Sequence, residues 1–356
     1  MSANAPPENC VYATLITRSS YLAGVVLLAY TLQKNESRYP LIVLYTDNLP
    51  HSSVVALQLE ASRTNLVLKQ ISALLPSNSL KVNLIAERFA DTWTKLRVFE
   101  LVKYDKVCYL DADMIIRKNM DEIFSVRLPA SDWIAANHAC VCNLDKDSWA
   151  PEEWNKENCA YTPTKHPAAL KYPTQVKPDS RPTYHLLNSG MFLYEPSEVL
   201  WSEMIEFFNT APKLAEYKFP DQDFLADFFH NKWVSIGWQY NALKTMRYWH
   251  PDMWRDEEVS CLHYIVDKPW AKRVGPDGIA GYLGRDGETH RWWWEEFEEW
   301  RAERQAQGEE EVLRIVGNHV GKPIGEEGEE NEELRSIGSQ VQAFAKKKPR
   351  NENECE

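Results

Sequence analysis

Val-Cys-Tyr-Leu-Asp-Ala-Asp-Met-Ile-Ile, residues 107–116, is a short apolar run interrupted by two carboxylates one residue apart. Bulky and β-branched residues in a run of this length predict a buried β-strand. In extended chain, the side chains of Asp111 and Asp113 would point to the same side. Converging carboxylates repel each other unless a cation or a shared proton offsets the repulsion. The pair is therefore either a metal site or two solvated loop carboxylates.

The chain around this run alternates between strand-like and helix-like segments. Residues 11–16 and 41–45 are apolar runs typical of buried strands, whereas residues 21–32 and 92–102 carry helical patterns. This alternation predicts an α/β fold with a mostly parallel central sheet flanked by helices. Ligands of such sheets bind beyond the carboxyl ends of the strands, and the acidic pair follows such an end.

Composition narrows the classes of partner and the cellular compartment. The net charge of −12 in 356 residues disfavours binding to nucleic acid or to an anionic membrane. No apolar run approaches the length of about 18 residues that a membrane span needs. Residues 1–9 lack a secretory signal pattern, and seven scattered cysteines fit a reducing compartment. We therefore expect a cytoplasmic protein.

Three cysteines lie within residues 140–159. Cys140, Cys142 and Cys159 are of a residue type that binds zinc, but they lack the standard spacing of zinc ligands. The sequence alone therefore disfavours a zinc site.

Several other polar residues have two possible interpretations each. His263, in a strand-like run, is either a buried core histidine or a metal ligand, and Lys268 follows it closely enough to neutralise a diphosphate. Asn188 opens an Asn-Ser-Gly sequence that suits either a plain turn or contacts with sugar hydroxyls. Asp221 is either a helix cap or a ligand contact. Lys95 is either a solvated helix charge or a phosphate contact.

Taken together, these pieces resemble glycosyltransferase family 8, which includes glycogenin and plant galactinol synthase. The similarity covers roughly residues 11–270. The pieces that carry it are Thr14-Leu15-Ile16-Thr17, Tyr21, Thr94-Lys95-Leu96, Tyr109-Leu110-Asp111-Ala112-Asp113, Asn188-Ser189-Gly190-Met191-Phe192, Asp221-Gln222-Asp223-Phe224-Leu225, Tyr240-Asn241, His263-Tyr264 and Lys268-Pro269-Trp270.

The resemblance implies a GT-A fold, a UDP-sugar donor and bound manganese. It implies that Asp111, Asp113 and His263 hold the metal. It further implies that Leu15, Thr17 and Tyr21 line the uridine pocket and that Lys268 contacts the diphosphate. The residues that would face the donor sugar are Lys95, Asn188, Asp221 and Gln222. The implied reaction retains the anomeric configuration, with departure of the diphosphate and attack by the acceptor on the same face.

The expected activity is transfer of glucose or galactose to a small polyol or sugar acceptor, as in galactinol synthase. One alternative is a glycogenin-like self-glucosylating primer, but Trp249 occupies the place of the acceptor tyrosine, with Tyr248 adjacent. Another is a non-catalytic scaffold that binds a sugar nucleotide. A homodimer is left open.

The expected organisation has three parts. Residues 1–275 form the GT-A domain and residues 276–320 a helical extension. Residues 321–356, rich in Gly, Glu, Asn and Lys, form a disordered tail with acidic and basic stretches.

Overall fold

The computed structural model describes residues 8–75, 92–147, 150–211, 213–214 and 216–322. Its strands are β1 (Cys10–Ile16), β2 (Leu41–Tyr45), β3 (Leu66–Gln70), β4 (Lys106–Leu110), β5 (Met114–Ile116), β6 (Ile134–His138), β7 (Leu187–Tyr194), β8 (Trp233–Ser235), β9 (Ala242–Leu243) and β10 (Cys261–His263). Its α-helices are α1 (Leu22–Lys34), α2 (His51–Ala61), α3 (Glu198–Thr210), α4 (Pro220–Phe228), α5 (Met246–Trp249), α6 (Gly287–Ala306) and α7 (Glu310–Gly317).

The central sheet has the strand order β3-β2-β1-β4-β7-β6-β8. Neighbouring strands run parallel except at β7, which is antiparallel to both β4 and β6. The predicted α/β fold with a mostly parallel central sheet is confirmed. Because β1 and β4 are parallel, the ends of both strands face the same edge. The acidic pair follows the end of β4 at that edge.

A second, three-stranded sheet has the order β5-β10-β9. The run at 107–116 therefore does not form one strand: its first part is β4, and its last three residues are β5 of the other sheet. The expectation that Asp111 and Asp113 lie in extended chain is wrong, since Ala112 and Asp113 form a turn between the two sheets. The carboxylates converge because the chain turns there.

The first helix presses against this turn. A Cβ atom on Gly24 of α1 would lie 2.2 Å from the carbonyl oxygen of Ala112 and 2.8 Å from the ring of Trp270. No other residue type fits this close approach without displacing backbone. Gly24 thus lets α1 contact both the acidic turn and the segment that follows β10.

The C-terminal helices share the main apolar core. Trp293, Phe297 and Trp300 of α6 pack in the cluster that also contains α1. The segment expected to be a helical extension holds two helices, because Gly308, with φ of +74°, ends α6 before α7 begins. The three-part division of the chain remains a prediction, and most of the predicted tail lies outside the described residues.

Candidate functional site

The acidic pair is held by backbone hydrogen bonds from both sheets. The Asp111 amide donates to the carbonyl of Gly190 at 2.8 Å, and the Tyr264 amide donates to the carbonyl of Asp113 at 2.9 Å. Asp113 is buried, whereas Asp111 is half-buried. The turn therefore presents one sheltered carboxylate and one that solvent or a ligand can reach.

His263 completes this acidic cluster. Its Nε2 atom lies 3.3 Å from Asp113 Oδ1 and 3.9 Å from Asp111 Oδ2. One ligand atom from each of the three residues lies within 4.8 Å of the others. The ring fits against β7 only because residue 190 is glycine: a Cβ there would lie 2.3 Å from His263 Cε1. The structure thus brings together Asp111, Asp113 and His263 from distant parts of the chain.

The tautomer of His263 follows from a neighbouring amide. Asn241 donates through Nδ2 to Asn188 Oδ1 at 2.8 Å, which leaves its Oδ1 atom to accept from His263 Nδ1 at 2.9 Å. The Nε2 lone pair consequently faces the two carboxylates. Three electron-rich atoms converge there, and carboxylate oxygens with one imidazole nitrogen suit Mg²⁺ or Mn²⁺. The residues present therefore fit a divalent cation.

Lys268 adds a cation beside this cluster. Its ammonium group pairs with Asp113 and donates to the carbonyl of Tyr264 at 2.9 Å. Burial alone would raise the pKa of Asp113, but the charge of the Lys268 ammonium outweighs it and holds this pKa well below its usual range. Burial in turn would lower the pKa of Lys268, but Asp113 more than compensates and raises it. Both groups of the pair are charged at neutral pH.

Lys95 lies between two carboxylates. Its ammonium is 2.9 Å from Asp111 Oδ1 and also pairs with Asp221, which accepts a 2.8 Å hydrogen bond from the Ser189 hydroxyl. Burial opposes the charge on Lys95, yet Asp111 and Asp221 raise its pKa above the usual value. Lys95 is only 7 % exposed, so the reading of a solvated helix charge is wrong. Its partners link the acidic turn to α4.

Asp221 does not cap α4. The Asp223 carboxylate accepts from the amides of Lys218 and Phe219, which lie just before this helix, at 2.8 and 2.9 Å. The Asp221 carboxylate faces Lys95 and Ser189 instead.

A chain of amides extends the site. Asn188 accepts from the amide of Gly190 at 3.1 Å and donates to Gln222 Oε1 at 3.3 Å. Together with the bonds of Asn241, this chain connects His263 to the start of α4. Asn188 and Gln222 are half-buried, so both can reach a ligand.

The predicted nucleotide-facing residues lie at the end of β1. Leu15 is on β1, Thr17 directly follows it, and Tyr21 ends a 3₁₀ helix; all three are half-buried. The ammonium of Lys268 lies 5.9 Å from the centre of the Tyr21 ring. Tyr21 therefore borders the acidic cluster, while Leu15 packs against the core of the central sheet.

Sequence reasoning gave no role to two residues of the site. Asn241 orients His263, and Gly190 makes room for its ring. Both belong to motifs that carry the family resemblance, but an amide and a glycine have no chemical signal of their own. Only their contacts reveal what they do.

Cys140, Cys142 and Cys159 lie close together in the structure, although they lack the standard spacing of zinc ligands along the chain. The three sulfur atoms surround Nε2 of His250, which lies 91 residues beyond the last of the cysteines. Spacing along the chain could not reveal a fourth ligand at that separation.

Within the described part of the chain, no helix is both long enough and apolar enough to cross a bilayer.

Known proteins are similar to this chain over most of its length. The model of the family described as "Glycosyl transferase family 8" matches residues 13–273. Galactinol synthase 1 of Solanum lycopersicum is 27% identical over 311 residues, covering 86% of this chain and 88% of the relative. Galactinol synthase 4 of Arabidopsis thaliana is 28% identical over 269 residues, covering 75% of each chain.

Solved structures share the fold at low sequence identity. The galactosyltransferase LgtC in complex with donor and acceptor sugar analogs has a TM-score of 0.52 at 17% identity, over 80% of this chain and 95% of that one. The glycosyltransferase GlyE of Streptococcus pneumoniae TIGR4 has a TM-score of 0.51 at 18% identity, over 89% of this chain and 66% of that one. The fold is the GT-A fold, and the chain belongs to glycosyltransferase family 8.

Proposed function

We propose that this chain is a retaining, manganese-dependent hexosyltransferase that moves glucose or galactose from a UDP-sugar to a small polyol or sugar acceptor. The observation that carries the proposal is the acidic cluster, in which two carboxylates face an imidazole whose tautomer leaves a lone pair for a cation. Bound there, a divalent metal would neutralise charge on the leaving diphosphate.

The residues of the chain supply the remaining contacts. Lys268, buried beside the acidic cluster, is placed to pair with the diphosphate, which carries the negative charge of the leaving group. Tyr21, Thr17 and Leu15 would contact the uridine at the end of β1. The donor sugar would contact the polar groups between the acidic cluster and the start of α4: Lys95, Asn188, Asp221 and Gln222.

The proposed reaction exchanges one bond at the anomeric carbon for another. The bond from this carbon to the diphosphate oxygen breaks, and a bond to the acceptor hydroxyl oxygen forms on the same face. The acceptor proton passes to the departing diphosphate. Lys95 and Asp221 are already paired in the structure, so they can hold the donor sugar without a large rearrangement.

Self-glucosylation on Tyr248 is disfavoured by burial. The Tyr248 hydroxyl is buried, and the ring has the Arg285 guanidinium 5.5 Å from its centre. An acceptor hydroxyl has to reach the anomeric carbon, which a buried one cannot do without local opening. A small acceptor that diffuses into the site meets no such obstacle, and the similarity to galactinol synthases supports a polyol.

The test is UDP release from a panel of UDP-sugars with Mn²⁺, with and without acceptors such as inositol. We expect acceptor-stimulated release with UDP-galactose or UDP-glucose, and at least about a 100-fold loss in Asp113→Ala, since even outer partners of a metal site cost roughly 10–100-fold. Asp132→Ala, which removes a half-buried aspartate that pairs with Lys232 and lies two residues before β6, is the matched control. Full activity in Asp113→Ala would overturn the assignment of the metal site.

The same assay separates the alternatives. Hexose increments in the intact mass of the protein would indicate a self-glucosylating primer, and donor binding without turnover would indicate a scaffold. A cytoplasmic location and a homodimer remain predictions, to be checked by fractionation and by light scattering.

A further inference from the structure

A second group of metal-binding side chains lies apart from the acidic cluster and has no part in the proposed transfer reaction. Three thiols and one imidazole converge there, and we refer to them as the thiol cluster: Cys140, Cys142, Cys159 and His250. All but Cys140, which is half-buried, are buried.

The elements that carry the thiol cluster hold it in place without a metal. The first two cysteines directly follow β6, and Cys159 follows a short 3₁₀ helix that Asn155 caps with a 3.0 Å hydrogen bond to the amide of Asn158. His250 ends α5, where its amide donates to the carbonyl of Met246 at 2.8 Å. Three separate segments therefore meet at one point.

The distances match a tetrahedral zinc centre. His250 Nε2 lies 3.3, 3.3 and 3.7 Å from the sulfurs of Cys140, Cys142 and Cys159. The sulfurs of Cys140 and Cys159 are 3.8 Å apart. Zinc bonds of about 2.3 Å to sulfur and about 2.0–2.1 Å to nitrogen, set at tetrahedral angles, require edges of about 3.8 Å between sulfurs and about 3.6 Å between sulfur and nitrogen. Four of the six edges are thus close to these lengths, and all four ligand atoms lie within 4.8 Å of one another.

We propose that the thiol cluster is a structural zinc site. Three thiolates and one imidazole are a ligand set of closed, four-coordinate zinc, with no position left for substrate. The thiols bind as thiolates and release their protons to solvent. A disulfide would use only two of the sulfurs and would give no reason for an imidazole nitrogen within 3.7 Å of all three.

Zinc at this site would fasten a long connection to the fold. The segment between β6 and β7 carries the three cysteines, and it also meets the segment after α5 through the amide of His166, which donates to the carbonyl of Asp252 at 3.0 Å. The part of the chain that leads to His250, from β9 through α5, begins directly after Asn241, which orients His263. Zinc would thus stabilise the wall next to the acidic cluster without joining in the chemistry.

The first measurement is the metal content of the purified full-length protein after dialysis against EDTA. We expect about one zinc per chain, because closed sites of this type release metal slowly, and X-ray absorption should show three sulfur neighbours at about 2.3 Å and one nitrogen at about 2.0–2.1 Å. This measurement uses the unaltered protein, so it does not depend on whether any variant folds.

Matched variants then locate the zinc. Cys159→Ser and His250→Ala should lose it, whereas Cys10→Ser, a buried cysteine of β1, and Asp113→Ala, in the acidic cluster, should keep it. Zinc that survives Cys159→Ser but is lost in Asp113→Ala would overturn the proposal. So would iron in place of zinc, or zinc-free protein whose mass is lower by two hydrogens because two of the thiols have formed a disulfide. The result is independent of the proposed transferase activity.

Discussion

At the scale of single residues, the site depends on side chains that touch no substrate. Asn241 fixes the tautomer of His263, and Asn241→Leu removes the acceptor for Nδ1–H. We expect the affinity for Mn²⁺ to fall roughly 10–100-fold, because outer partners of metal ligands typically contribute that much. Calorimetric titration of Mn²⁺ into the protein measures it. Asn241→Asp keeps an acceptor and should lose less; an unchanged affinity in the leucine variant would contradict this role.

At Gly190 we expect harm from an added group rather than from a lost one, because a single methyl group does not fit there. In Gly190→Ala the new Cβ would lie 2.3 Å from Cε1 of His263, so the ring has to move away from the carboxylates. We expect weaker Mn²⁺ binding and a loss of about 1–3 kcal/mol in unfolding free energy, as is typical of overpacking. Denaturant melts and metal titration measure the two effects.

The control for this variant is Gly317→Ala in α7. A Cβ at Gly317 would meet nothing within 4 Å, and alanine favours a helix over glycine by about 1 kcal/mol. This variant should therefore be at least as stable as the parent. Equal behaviour of the two alanine variants would refute the steric argument for Gly190.

At the scale of elements, α6 begins in a buried network of charges. Lys244 is 1 % exposed; it pairs with Asp286 at 2.7 Å and donates to His290 Nε2 at 3.4 Å. Burial, together with the charges of Lys244 and Lys268, lowers the pKa of His290 well below its usual value. The unfolded chain therefore binds a proton at His290 at a higher pH than the folded chain does.

The sign of the pH effect follows from this difference. As pH falls below about 6.5, His290 binds a proton in the unfolded state but not in the folded state. The unfolding free energy therefore declines by up to about 1.4 kcal/mol per pH unit for this group. His290→Gln keeps an acceptor for Lys244 but does not titrate. We expect thermal melts between pH 7 and pH 5 to show a shallower decline in the variant; parallel curves would contradict the assignment.

The sequence predicts secondary-structure elements correctly where one residue pattern dominates. It does not predict the elements whose position depends on packing between distant segments. The apolar runs of β1, β2 and β4 suffice because a buried parallel strand needs little else. The three-residue strands β5 and β10 carry no periodic signal, so the second sheet could not be foreseen, and with it the turn at the acidic pair. The pairing of Lys95 with Asp221, across 126 residues, was likewise beyond any local pattern.

At the scale of the whole molecule, the last helices complete the core of the first half. Glu60 of α2 is fully buried and accepts two hydrogen bonds from Arg304 of α6, at 2.8 and 2.9 Å, and one from Trp300 at 3.0 Å. Removing one partner of a buried ion pair typically costs about 3–5 kcal/mol. The helices are thus part of what stabilises the central sheet.

Two truncations test this dependence. A chain that ends at residue 275 lacks α6 and α7, leaves the Glu60 carboxylate without Arg304, and should unfold at a much lower temperature or fail to accumulate. A chain that ends at residue 322 keeps every contact named here and should melt like the full protein. Calorimetry on both distinguishes a stabilising extension from a dispensable one; equal melting temperatures would show that the sheet does not need the helices.

The pair of Glu60 and Arg304 also sets an order of events during synthesis. The two residues are 244 positions apart, so a ribosome adding about 5–20 residues per second makes Arg304 about 12–49 s after Glu60. During that interval α2 can dock only with an unpaired carboxylate beneath it. We therefore expect the nascent first half to be less stable than the finished protein until α6 leaves the ribosome and Arg304 pairs with Glu60.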